Sequence, residues 1–247
     1  MPERPVACDE KPGKISDMFK ALFKNDQAMT VVVSIILVYT SLNICGNLVL
    51  YFFRFDVGNE GAYSIFAAVA FAAQVLVMMV IPLLRKRFSK SQLFISGFII
   101  QIAGFAVILI MAFAKLYTPQ SWYILCLPGI LIYLGYGMLN VIMTIFLSDS
   151  VDYGEVMNGT REESVIFSMQ TFTVKLASGV AVFLAGLVVD WIHLDTAAAV
   201  QTQDTLDALR MWMTIPSVIL LIVGIFVFKR FYKLDDPRME EIKSKLN

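Results

Sequence analysis

Three apolar stretches of the sequence carry polar side chains at the spacing of one α-helical face. The first has Tyr39, Asn43, Asn47 and Tyr51, the second has Tyr133, Tyr136 or Gly137, Asn140 and Thr144, and the third has Ser168, Thr171, Lys175 and Ser178 with Gln170 beside them. In a bilayer such faces turn toward a water-filled cavity or hydrogen-bond to each other. A single Asn or Tyr leaves both alternatives open, whereas three polar faces in one chain favour a cavity.

Lys175 is the residue that most strongly indicates a function. It lies about 15 Å into its stretch, which is too far for its side chain to reach the interface. An unpaired lysine there costs about 2.5–3.5 kcal/mol on insertion scales, so Lys175 needs water or a partner. The apolar stretches have no Asp or Glu near mid-depth, and Asp190 is about 22 Å away along the helix. We expect a functional role with a carboxylate from outside this chain, and a structural ion pair is the alternative.

A short charged segment separates the second and third of these stretches. Its candidate residues are Asp149, Asp152, Tyr153, Gly154, Glu155, Arg161 and Glu163. Acids before a glycine turn and an arginine after it predict a tight polar hairpin. In a solvated turn such ion pairs contribute little to stability. The density of charge and glycine favours instead a gate, whose ion pairs break when this side of the protein opens.

The segments that position these residues are long and apolar enough to cross a membrane. Of 247 residues, 58% are hydrophobic and 16% are charged, whereas about a quarter of a soluble domain is charged. Six stretches approach the ~20 residues that span a bilayer, and each should be helical because the hydrocarbon offers the backbone no water. We predict an all-α fold with an arm at 1–27, a six-helix bundle at 28–228 and a tail at 229–247. The predicted spans are 28–53, 61–84, 91–114, 122–148, 164–191 and 211–228.

The basic residues of the connections predict the orientation of the bundle. They lie in the arm, in the connection 85–90, at Arg161 and in the tail, whereas the opposite side has Arg54, Lys115 and Arg210. Because cytoplasmic loops carry the excess of Lys and Arg, both termini are predicted to be cytoplasmic in a multi-pass protein of the cell membrane.

Several classes of function are excluded by composition. The chain has 20 Lys and Arg and 20 Asp and Glu, so it lacks the excess of basic residues that would indicate nucleic-acid binding. The chain has three cysteines, which lie far apart at Cys8, Cys45 and Cys126. An odd number at these spacings predicts neither a disulfide framework nor a metal site. With His193 as the only histidine, no Ser/His/Asp or Cys/His catalytic arrangement is possible. We expect no enzyme and no cofactor, and the charged first 27 residues do not resemble a signal peptide.

The charged segment and the stretch after it also resemble a known family. Residues 149–164 read Asp-x-x-Asp-Tyr-Gly-Glu-x-x-x-Gly-x-Arg-x-Glu-Ser, followed by Ser168-Met169-Gln170-Thr171 and Lys175. This resembles the loop and eleventh helix of the glycoside–pentoside–hexuronide:cation symporters, the melibiose-permease group of the major facilitator superfamily. Residues 22–27 resemble the segment before that family's seventh helix, and 85–90 resemble its basic loop between helices eight and nine. The resemblance covers nearly the whole chain, as a C-terminal half.

The resemblance implies uptake of a glycoside by alternating access, driven by Na⁺, H⁺ or Li⁺. Gln170 and Thr171 match positions close to the sugar, and Lys175 matches a lysine that faces the cation-site carboxylates of the other half. Asn140 stands about where the family has a cavity tryptophan, and Tyr136 is the candidate substitute one turn earlier. With these residues, the polar faces of the first and fourth spans would line the substrate cavity.

The expected partners follow from the same resemblance. They are membrane lipid, a small sugar, and an N-terminal six-helix half or partner chain that supplies carboxylates. One alternative is a non-transporting membrane protein, either the product of a truncated or split gene or an accessory subunit. A transporting homodimer is less favoured, because it would bring together two lysines and no carboxylate.

Overall fold

The chain is a bundle of long helices in the computed structural model, which describes residues 23–159 and 163–246. The α-helices in these ranges are α1 (Asp26–Tyr51), α2 (Ala62–Leu84), α3 (Lys90–Phe113), α4 (Cys126–Asn158), α5 (Glu163–Trp191), α6 (Gln203–Phe231) and α7 (Asp236–Leu246). A π-helical turn, Phe52–Asp56, continues α1, and a 3-10 turn, Trp122–Leu125, precedes α4. Helices α1 to α6 are long and apolar enough to cross a membrane, which confirms the all-α, six-helix prediction.

The membrane-length helices pack in a few extensive pairs. α3 packs on α4, α2 packs on α4, and α1 lies between α5 and α6. Large apolar side chains such as Phe71, Leu76, Met79 and Phe183 remain exposed on the outside of the bundle. Such an outer face is suited to lipid tails, which are as apolar as these side chains.

Two polar residues cap the N-termini of their helices. Asn25 caps α1 by accepting the N–H of Ala28 at 3.0 Å, and its amide also donates to the carbonyl of Ser150 at 2.8 Å. Ser89 and Gln92 form a capping box at the start of α3. The cap of α1 therefore also joins α1 to α4.

Two helices extend well beyond the predicted spans. The sequence predicted a tight hairpin that begins at Asp149, and this prediction is wrong for residues 149–158 because α4 continues to Asn158. Gly159, whose φ is 73°, caps the end of the helix. α6 begins at Gln203 rather than near residue 211. In both cases the charged side chains that end the apolar run are paired with neighbouring groups, so they do not interrupt the helix.

A further helix, α7, lies in the segment that was predicted only as a tail. Leu234, Met239 and Ile242 are buried together, and Tyr153 and Val156 of α4 pack against them. The extended end of α4 therefore provides the surface on which α7 docks.

Aromatic rings fill the interior where α3, α4 and α6 meet. The ring of Phe94 lies 5.1 Å from that of Phe146 and 4.5 Å from that of Phe228, and all three side chains are buried. Offset and edge-to-face aromatic pairs of this kind contribute about 0.5–1.5 kcal/mol beyond their burial.

The backbones of α3 and α4 approach closely at a pair of glycines. A Cβ atom placed on Gly135 would lie 2.5 Å from the carbonyl oxygen of Gly97 and 2.6 Å from the backbone nitrogen of Gln101. Because these are backbone atoms, a side chain at residue 135 would force the helices apart.

We expect Gly135→Ala to destabilise the protein by about 1–3 kcal/mol through overpacking. Gly179→Ala on α5 is the matched control, because no atom lies within 4 Å of the added Cβ. The midpoint of thermal unfolding in detergent measures both effects. Equal midpoints for the two variants would contradict the close approach of α3 and α4.

Candidate functional site

The structure brings together three of the predicted substrate-site residues, from α1 and α4. The Asn140 amide donates to the Tyr39 hydroxyl at 2.5 Å, and the Tyr136 ring meets the Tyr39 ring edge-on at 5.5 Å. The Tyr133 ring lies 6.4 Å from that of Tyr136. These residues form a small polar and aromatic cluster between the two helices. The sequence patterns on α1 and α4 predicted its members but not their contact.

Asn43 and Asn47 use their side-chain donors within α1. The Asn43 amide donates to the Tyr39 carbonyl at 2.7 Å, and the Asn47 amide donates to the Asn43 carbonyl at 2.7 Å. Both residues are half-buried. The bond from Asn43 goes to the backbone carbonyl of Tyr39, whereas the Tyr39 hydroxyl is the group that accepts from Asn140.

The polar face of α5 lies on the surface of the bundle. Lys175 and Thr171 are exposed, Gln170 is half-buried, and the Thr171 hydroxyl donates to the Phe167 carbonyl at 3.2 Å. Within 23–159 and 163–246, no carboxylate lies at ion-pair distance from the Lys175 ammonium group. On the other side α5 is buried through small residues, including Ala177, Ala181 and Ala185.

Ion pairs join α3, α4 and α7 at the tail end of the bundle, and we call Arg85, Lys90, Asp149 and Asp236 the tail-side cluster. The Lys90 ammonium contacts the Asp149 carboxylate, and both side chains are almost fully buried. Lys90 also lies 3.4 Å from Asp236, which is 3.2 Å from Arg85. The predicted gate residue Asp149 is thus paired within this bundle.

The other predicted gate residues are distributed around the end of α4. Asp152, Tyr153 and Glu155 are half-buried on its helical extension, and Glu163 is exposed at the start of α5. Gly154 is buried, and a Cβ there would lie 2.9 Å from the Asn25 amide nitrogen. Arg161 lies outside the described residues, so its pairing stays a prediction.

The tail-side cluster shifts the pKa of the carboxyl group that links it to α7. Partial burial alone would raise the pKa of Asp236, but the hydrogen bond from Arg85 and the positive charge of Lys90 hold it below its ordinary value. Near this group, burial and the charges of Asp149, Asp236 and Asp235 raise the pKa of the Tyr232 hydroxyl. The geometry therefore favours a charged Asp236 and a neutral Tyr232.

A second buried cluster, which the sequence analysis missed, lies at the opposite end of the bundle. We call Asp56, Tyr117, Asp207 and Arg210 the loop-side cluster. The Arg210 guanidinium donates to both oxygens of Asp56 at 2.8 and 2.5 Å, and to Asp207 at 2.7 Å. The Tyr117 hydroxyl donates to Asp56 at 2.6 Å. The only sequence signal was that Asp56 and Arg210 flank two spans on the same side of the membrane.

The described residues contain no group of three or more His, Cys, Asp or Glu that could hold a metal ion. The predicted substrate-site and coupling residues offer hydrogen bonding by amides and hydroxyls, aromatic contact and the ammonium group of Lys175. Such groups bind a polar solute without changing its covalent structure.

We expect Arg210→Gln to destabilise the protein by about 3–5 kcal/mol, because it leaves the Asp56 carboxylate buried without its counter-charge. Arg54→Gln is the matched control. Its pair with Glu60 is long, at 3.7 Å, and exposed, so it should cost about 0–1 kcal/mol. Thermal unfolding in detergent compares the two variants. Similar losses would contradict a structural role specific to the loop-side cluster.

The lowered pKa of Asp236 makes part of the stability depend on pH. The ionised carboxylate stabilises the fold above its ordinary pKa of 3.8, and this contribution is lost as the pH falls through the lower folded value. We expect Asp236→Asn to be less stable than the unmodified protein at pH 7 and to lose less stability on acidification to about pH 3. Asp235→Asn, which changes the same charge outside the cluster, should keep the original pH dependence of the unfolding midpoint.

Comparisons with known proteins agree with the fold of membrane-length helices. A family profile described as MFS/sugar transport protein matches residues 3–236. The chain is 25% identical to the uncharacterized symporter YjmB of Bacillus subtilis, over 94% of the chain and 49% of the relative. It is 23% identical to the raffinose carrier protein of Pediococcus pentosaceus, over 94% of the chain and 35% of the relative. It is 25% identical to the isoprimeverose transporter of Lactiplantibacillus pentosus, over 91% of the chain and 46% of the relative.

The chain spans about half or less of the length of these curated relatives. The family and its named members are transporters, which confirms the prediction that the chain is not an enzyme. The apolar helices and the family agree on a location within a membrane. The chain is a multi-pass membrane protein that belongs to the MFS/sugar transport protein family, within the glycoside–pentoside–hexuronide group of the major facilitator superfamily.

Proposed function

We propose that the chain acts as the C-terminal half of a cation-coupled sugar symporter that works by alternating access. The observation that carries this proposal is the exposed polar face of α5, where Lys175 has no carboxylate partner in the part of the chain that the structure describes. A lysine within a membrane-length helix is stable only beside water or a counter-charge. A second six-helix unit that packs over this face and carries carboxylates would provide both.

Lys175 couples cation and sugar in this proposal. The carboxylates of the other half bind Na⁺, H⁺ or Li⁺, and Lys175 competes with that cation for the same negative charge. Binding of cation and sugar then shifts the population between inward-open and outward-open states, because the two states bind them with different affinities.

The sugar lies between the two halves, against the polar faces of α1, α4 and α5. The cluster of Tyr39, Tyr136 and Asn140 offers an amide, a hydroxyl and aromatic faces, and Gln170 and Thr171 add further donors and acceptors. Asn43 and Asn47 belong to the same wall, where their amide oxygens would accept hydrogen bonds from sugar hydroxyls. Raffinose and isoprimeverose, which the names of two relatives specify, indicate a small glycoside as the substrate class.

The tail end of the bundle lies on the cytoplasmic side of the cell membrane in this proposal, with both termini there. The gate consists of Asp149, Asp152, Tyr153, Gly154, Glu155, Arg161 and Glu163. Asp149 acts through its pair with Lys90, which holds the extended end of α4 in place. The other charged members contribute ion pairs that break when the cytoplasmic side opens.

One alternative belongs to a different class of function, in which the chain is a non-transporting membrane fragment or an accessory subunit of a split transporter. Such a chain would insert and fold in the membrane but would not move sugar when paired with a complementary half.

Reconstitution with a complementary half tests the proposal. We expect proteoliposomes that contain the chain and the N-terminal six helices of the isoprimeverose transporter to take up a labelled glycoside in response to a Na⁺ or H⁺ gradient. Lys175→Ala should reduce gradient-driven uptake by on the order of tenfold, the equivalent of about 1.4 kcal/mol. Lys229→Ala, which removes an exposed lysine at the end of α6, is the matched control.

Three outcomes of this experiment would contradict the proposal. Gradient-driven uptake that is unchanged in Lys175→Ala would remove the coupling role of the lysine. Full uptake by the chain alone, retained after crosslinking into dimers, would replace the half-transporter with a homodimer. Lack of uptake in every pairing, with normal insertion and folding, would favour the non-transporting alternative.

A further inference from the structure

A groove lies between α1 and α6, the first and last of the membrane-length helices, at the tail end of the bundle. Its volume is about 580 Å³, and its lining includes Asp26, Met29, Val33, Val227, Arg230 and Lys233. The apolar members come from the bodies of α1 and α6, and the basic members come from the point where α6 ends. The groove therefore has an apolar interior and a charged mouth.

Gln27 fixes the shape of the mouth. This side chain is 1% exposed, and its amide oxygen accepts the N–H of Lys233 at 2.8 Å. Its amide nitrogen donates to the Asp26 carboxylate at 2.9 Å and to the Phe231 carbonyl at 3.4 Å. One buried glutamine thus holds the end of α6 against the start of α1, so the basic residues keep their position at the groove.

The mouth carries positive charge that is not neutralised by ion pairs. Among the described residues, neither Arg230 nor Lys233 lies at ion-pair distance from a carboxylate, and the Arg230 guanidinium lies over the Phe231 ring at 5.6 Å. Asp26 is the one acid of the lining, and it accepts a hydrogen bond from Gln27. The lining has one more basic than acidic group.

We propose that this groove binds one anionic phospholipid. Its interior belongs to membrane-length helices, so an acyl chain can lie along Met29, Val33 and Val227 without leaving the apolar region. The lipid phosphate then lies at the mouth, where an arginine binds two of its oxygens and a lysine supplies a point charge. Basic pockets between membrane helices are a known type of site for anionic headgroups. The inference does not depend on the transport activity.

Lipid binding to the full chain tests this inference. The probe is phosphatidylglycerol, with phosphatidylcholine as the zwitterionic comparison, titrated into the detergent-solubilised protein and counted by native mass spectrometry. We expect Arg230→Gln/Lys233→Gln to weaken phosphatidylglycerol binding by on the order of tenfold, because two headgroup contacts are lost. Lys86→Gln/Arg87→Gln removes the same charge from exposed residues at the same end and should leave binding unchanged. Equal weakening in both variants would overturn the site.

Three further measurements distinguish binding in the groove from other sources of binding. Val227→Trp fills the apolar interior without a change in charge, so it should weaken phosphatidylglycerol binding, and unchanged binding would overturn the placement. Inorganic phosphate should not displace the lipid, and displacement by millimolar phosphate would identify a site for the free anion instead. Removal of residues 1–20 should not strengthen lipid binding, and a large gain would show that the preceding chain occupies the groove.

Discussion

A charge that lies among membrane-spanning helices has to find a counter-charge within the protein, and this constraint acts at both ends of the bundle. At one end the buried Lys90–Asp149 pair holds α3 against α4, and Asp236 adds α7. At the other end Arg210 is paired with Asp56 and Asp207. Each pair is stable because hydrogen bonds complete the geometry, and loss of one partner would leave a charge in a region of low dielectric.

The same constraint explains why Lys175 indicates a partner outside this bundle. Helix α5 contributes no residue to the tail-side or loop-side cluster, and it packs mainly on α1 through alanines. Its lysine is therefore a charge in the body of a membrane-length helix that no described carboxylate of this bundle neutralises. A cation without a counter-charge does not stabilise the bundle itself. On an exposed polar face it favours contact with a partner that carries carboxylates.

The positions of the spans could be predicted because hydrocarbon forces every apolar run of sufficient length into a helix. The ends of the helices were harder to predict from the sequence. At Asp149 and Arg210 the apolar run stops while the helix continues, because backbone hydrogen bonding does not depend on hydropathy and the charges find partners on distant segments. Helix α7 was not predicted for a related reason. Its apolar residues are buried against Tyr153 and Val156 of α4, and this contact between distant segments is not visible in the sequence of the helix itself.

By itself, the sequence determined the membrane class, the six helices and the polar faces on α1, α4 and α5, because these depend on hydropathy and on periodicity within one segment. Tertiary structure decided which polar residues meet. Tyr39 and Asn140 are distant in sequence and form one hydrogen bond, whereas Asn43 and Asn47 turn to carbonyls of their own helix. It also decided that Arg210 is buried and Lys175 exposed, since the position of a charge relative to its partners is a property of packing between segments.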